Sequence, residues 1–144
     1  MPGNDSPHIY YRRLRTYKYQ LTEDYAILID IKDHQVETPF LKLTPGGDLT
    51  IKARYAWDGP SGPTIDTKNF MRSSLVHDAL YQLIRENHIE PKYREYADAL
   101  LEDLCRIDGM SAFRAWYVHL AVRWFGGPSA KPDKEKYQKV ICCP

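Results

Sequence analysis

His77 and Asp78 stand side by side in the run Ser73-Ser74-Leu75-Val76-His77-Asp78-Ala79-Leu80-Tyr81, and Tyr96-Ala97-Asp98 brings a second acid 21 positions after His77. An imidazole titrates near neutral pH and can take a proton from water. One neighbouring carboxylate can fix its tautomer and stabilise the imidazolium. Another can serve as a hard oxygen ligand for Ca2+ or a similar divalent cation. The candidate site is therefore His77 as general base, Asp98 as the group that orients it, Tyr81 beside them, and Asp78 as metal ligand. The other reading is a buried polar network in which His77 and Asp98 satisfy one another. Spacing alone leaves both open.

Two helices have to carry these groups. Apolar or small residues recur at three- and four-residue spacing, with no Gly or Pro between Thr64 and Pro91, which predicts a helix over about 67–86. Asp66 or Thr67 would cap it. Phe70, Ser74, His77, Tyr81 and Ile84 then share one stripe. Pro91 opens a second helix that runs to about Ile107 and ends at Gly109. Asp98 shares its stripe with the apolar Leu101 and Cys105, where an unpaired carboxylate would cost several kcal/mol. It therefore needs His77 or a cation. Ser111 caps a third helix, whose Phe113, Trp116, Tyr117, Leu120 and Trp124 form a broad apolar side read as core or as an interaction face. Gly126-Gly127-Pro128 stops it.

Ahead of the first helix lies Trp57-Asp58-Gly59-Pro60-Ser61-Gly62-Pro63, too rich in Gly and Pro for a regular element. Gly59 and Gly62 permit close approach of the backbone to a ligand. Asp58 offers a further carboxylate for a metal, and Ser61 a hydroxyl. This loop could complete an oxygen cage around a cation on Asp78, or be a tight crossover stiffened by proline. Earlier still, Thr16–Thr22, Tyr25–Ile31, Val36–Thr44 and Asp48–Ala53 read as strands, the last two joined by a Pro45-Gly46-Gly47 turn. An antiparallel meander of three to four strands followed by three helices makes an α+β fold. We expect a single domain over 1–144, with 1–9 and 127–144 as tails, 10–54 as sheet, 55–66 as the Gly/Pro loop and 67–126 as the helical part.

A hydrophobic content of 43% with 27% charged residues is that of an ordinary globular chain. A formal charge of +1 argues against a dedicated nucleic-acid binder. The three cysteines, Cys105, Cys142 and Cys143, make neither a disulfide framework nor metal-ligand spacing, and fit a reducing compartment. Met1–His8 is polar, so no signal peptide is expected, and no apolar run approaches the roughly 20 residues of a membrane span.

From Tyr55 to Phe125 the chain resembles a domain-of-unknown-function family (number 1353) spread through phage and prophage genomes. The matching pieces are Asp58-Gly59-Pro60-Ser61-Gly62-Pro63, Val76-His77-Asp78-Ala79-Leu80-Tyr81, Ala97-Asp98 and Ala121-Val122-Arg123-Trp124-Phe125-Gly126. That resemblance implies a phage- or prophage-encoded virion or late-module component, located in host cytoplasm or virion, with other virion proteins as partners. More distantly, His77-Asp78-x-x-Tyr81 with Asp98 is similar to the helix pair of secreted phospholipases of the A-two class and the related parvovirus capsid domain. There the His is the base, the adjacent Asp binds Ca2+ and a later Asp orients the His. The alternative function this implies is a divalent-cation-dependent hydrolase acting on a lipid or envelope ester. The chain departs from that pattern in lacking its flanking cysteines and in carrying an amino-terminal sheet.

Overall fold

Among the described residues seven short antiparallel strands precede three helices, which gives the α+β class expected from the sequence. The structure, a computed structural model, describes residues 8–13, 19–57 and 68–125. The chain divides into two compact units, Met1–Gly59 and Pro60–Pro144. The boundary falls within the Gly/Pro loop.

The described residues of the first unit form two sheets where one meander was expected. Strands β1 (Tyr11–Arg13), β2 (Tyr19–Leu21) and β7 (Ala56–Trp57) form one, in the order β1-β2-β7. Strands β3 (Tyr25–Leu28), β4 (Val36–Glu37), β5 (Leu41–Leu43) and β6 (Asp48–Ile51) form the other, in the order β3-β6-β5-β4. The second sheet follows from alternation. Tyr25 and Ile27 lie opposite Ile51 and Leu49, Leu41 and Leu43 flank the same two residues from the other side, and all six are buried. Period-2 patterning thus lines up one apolar face across three strands.

The run 36–44, read as one strand, is two. Thr38 turns the chain back: its Oγ1 accepts from the backbone N–H of Phe40 at 3.3 Å and of Leu41 at 2.9 Å. Pro39, with no N–H of its own, suits the tip. The Pro45-Gly46-Gly47 turn is where it was predicted, and Gly47 adopts φ 95°.

The second unit is built from α1 (Lys68–Arg85), α2 (Tyr93–Ile107) and α3 (Ala112–Phe125). Helix α2 ends in a Schellman motif. The Met110 N–H donates to Cys105 O at 2.9 Å and the Gly109 N–H to Arg106 O at 3.1 Å, with Gly109 at φ 100°. Ser111 caps α3 by accepting from the Arg114 N–H at 3.3 Å. Asp108, at the C-cap of α2, opposes the helix dipole, and Arg72 of α1 offsets it with two bonds of 3.0 and 2.8 Å. That pairing draws Asp108 into the helix packing.

The three helices share a core of Phe70, Leu101, Cys105, Met110, Ala115 and Val118, with Val122 against it. Here the reading of the aromatic stripe as core fails. Phe113, Trp116, Tyr117 and Trp124 are 74%, 52%, 45% and 70% exposed. Helix α3 is apolar on two sides. The side with small residues, Ala115-Val118-Val122, faces the core, and the bulky rings face outward.

Candidate functional site

Helices α1 and α2 bring His77, Tyr81 and Asp98 to one point. His77 Nε2 lies 2.7 Å from Asp98 Oδ1, and the Tyr81 hydroxyl donates to the same oxygen at 2.6 Å. Their one-turn spacing on α1 makes this convergence possible, and their rings pack with centroids 4.1 Å apart. Asp98 is fully buried and His77 nearly so. Asp78, the next residue on α1, turns to the opposite side of the imidazole. Its Oδ1 is 3.9 Å from His77 Nδ1, and its side chain is 38% exposed. The imidazole thus lies between an interior carboxylate and one that meets solvent.

Two arginines complete the cluster, and sequence reasoning gave neither a role. Arg123 of α3 donates from Nη1 to Asp98 Oδ2 at 3.1 Å. Arg94, one turn before Asp98 on α2, places Nε 4.0 Å from that oxygen and 3.4 Å from the Tyr81 hydroxyl. Its Nη2 donates to the Arg123 carbonyl at 2.6 Å, supplying a partner to the orphan end of α3. The i,i+4 spacing of Arg94 and Asp98 was a usable signal. Arg123 had none, because its contact depends on how α3 crosses α2.

The protonation states follow from these contacts. Burial alone would raise the pKa of Asp98, but hydrogen bonds from His77 and Tyr81, with Arg123 beside them, hold it below the ordinary carboxylate value. An ionised carboxylate only accepts, so Nε2 of His77 carries the hydrogen and Nδ1 is the nitrogen that gains and loses a proton. For His77 itself, burial presses toward the neutral form, yet the Asp78 and Asp98 carboxylates outweigh it and raise the pKa above 6.5. Burial and the Asp98 charge push Tyr81 up as well, so it stays a phenol and a donor.

Of the residues predicted for the site, the structure joins His77, Tyr81 and Asp98 and sets Asp78 beside them. Asp58, Gly59, Ser61 and Gly62, like the expected cap at Asp66 or Thr67, lie outside the described residues. No group of three or more His, Cys, Asp or Glu side chains that could hold a metal ion occurs among the described residues. Asp98 is committed to His77, Tyr81 and Arg123. Among the described residues Asp78 adds one hard oxygen donor beside the imidazole, against the six to eight that Ca2+ takes. No helix is long and apolar enough to cross a membrane among the described residues. Elsewhere, His119 and Glu102 bond to each other at 2.6 Å.

The chain matches no protein-family model, no curated protein and no solved structure.

Proposed function

We propose that the helix pair is a hydrolytic site in a small phage- or prophage-encoded protein, with His77 as general base toward a water on the Nδ1 side of its ring. One observation carries the reading: the interior nitrogen is fixed by a buried carboxylate while the other faces the half-exposed Asp78. That is the polarity a general base needs, with one nitrogen anchored and one turned toward the reactant. In the step proposed, water attacks the acyl carbon of an ester and gives its proton to Nδ1. The imidazolium, stabilised by Asp98, then returns that proton to the departing alkoxide, so acid and alcohol are the products. The substrate class is an ester of lipid or envelope origin. A divalent cation enters the proposal through Asp78, with its remaining ligands drawn from water.

The test is hydrolysis of phosphatidylglycerol vesicles followed by pH-stat, with and without Ca2+, Mg2+ or Mn2+. His77→Gln is expected to lower the rate by about 10²- to 10⁴-fold while the fold, read by circular dichroism, persists. Equal rates for the parent and this variant, or no turnover of any ester under these conditions, would overturn the assignment.

A second reading has its own support. Asp98 takes partners from α1 and α3 while sitting on α2, so the network braces all three helices. In a virion or late-module component that brace would be its whole purpose. Loss of stability in His77→Gln with no catalysis in the parent would favour this reading.

A further inference from the structure

We propose that the outward face of α3 is a docking surface for an anionic lipid bilayer. Phe113, Trp116, Tyr117 and Trp124 recur at three- and four-residue spacing and form one stripe with the half-buried Leu120. The opposite stripe already packs into the core. Four large rings turned to solvent along three turns of one helix form the kind of apolar patch that marks an interaction surface. Their chemistry narrows the partner. Trp and Tyr pair an apolar body with a polar edge, which suits the boundary between headgroups and acyl chains. A helix lying in that plane presents such a face.

Charge commits the surface to an anionic partner. Residues 111–144 contain Arg114, Arg123, Lys131, Lys134, Lys136 and Lys139 against Asp133 and Glu135, a formal +4 in a chain of net +1. The rest of the protein is therefore at −3, and no acid occurs between Asp108 and Asp133. The bases that follow α3 in the sequence would add electrostatic attraction to anionic lipid, on the order of 1 kcal/mol for each Lys or Arg near the surface. The inference is independent of the hydrolytic reading, since its readout needs no turnover.

The experiment is co-sedimentation of the full chain with vesicles of equal parts phosphatidylglycerol and phosphatidylcholine, beside pure phosphatidylcholine. The anionic vesicles are expected to carry the protein down, with a blue shift of tryptophan emission, and added salt to release it. Exchanging Trp116→Gln and Trp124→Gln together removes exposed rings without touching the core, and should weaken vesicle binding by about tenfold or more. Protein left in the supernatant at low salt overturns the proposal, as does a double variant that binds like the parent. A dimer by light scattering that the double variant abolishes, with no vesicle binding, would assign the face to a second copy of this chain instead.

Discussion

Tyr81 and His77, one helical turn apart, both direct their polar atoms to the same oxygen of Asp98, at 2.6 and 2.7 Å. The second oxygen is left to Arg123. Removing the acid and removing one donor should therefore have unequal effects. Asp98→Ala leaves two cationic partners facing a cavity and is expected to cost about 3–5 kcal/mol. Tyr81→Phe leaves a carboxylate that still has His77 and Arg123, and should cost about 1–3 kcal/mol. Urea unfolding of the two variants orders them, and equal losses would mean that Asp98 is not the hub.

The raised pKa of His77 fixes the sign of a pH dependence. The imidazolium is favoured in the folded protein, so its stabilisation is fully present below 6.5 and is lost as pH rises through the higher folded value. The stability gap between the parent and His77→Gln should shrink as pH increases over that window. Asp98 acts at the other end: its contribution is present above 3.8 and disappears as pH falls through its depressed folded value. In Asp78→Asn one of the carboxylates that raise His77 is gone, so its titration should move to lower pH. Any hydrolysis should then reach its plateau at lower pH too. Thermal unfolding across a pH series checks the first two, and a pH–rate profile the third.

Two glycines adopt positive φ for different reasons, and their substitution separates strain from collision. At Gly109 an added Cβ would meet nothing within 4 Å, so Gly109→Ala should cost only the left-handed conformation, about 1–2 kcal/mol. At Gly47 the Cβ would run into the Ile29 carbonyl oxygen, a backbone atom that already accepts from Lys32 Nζ. Gly47→Ala is expected to be the more damaging of the two by denaturant midpoint.

Cys105 is buried in the helical core and contacts Ser73 Oγ at 3.1 Å. Burial pushes its thiol up to about 11, which leaves almost no thiolate at neutral pH. Iodoacetamide should spare Cys105 in the folded chain and label it once urea is added, as peptide mass mapping would show.

The helices and the burial of Asp98 were legible because each rests on a local rule. A 3.6-residue period marks the stripe, Gly109 marks the end of α2, and an acid beside Leu101 and Cys105 has to find a partner. The hairpin within 36–44 was obscured because Thr38 makes its turn through a side-chain oxygen, with only Pro39 to punctuate the run. The aromatic side of α3 was left between core and interaction face for a deeper reason. Rings at helical spacing report that a helix has an apolar side, whereas the choice between that side and Ala115-Val118-Val122 is made by packing. Arg123 was hidden for the same cause: its bond to Asp98 belongs to the crossing of two helices rather than to any spacing along the chain.

Nitrogen NMR of the histidine rings through a pH titration, with His77→Gln supplying the assignment, tests the orientation of the site most directly. Nε2 of His77 is expected to keep its hydrogen throughout while Nδ1 titrates with a midpoint above 6.5. A proton retained on Nδ1 with titration at Nε2, or a midpoint below 6.5, would contradict this.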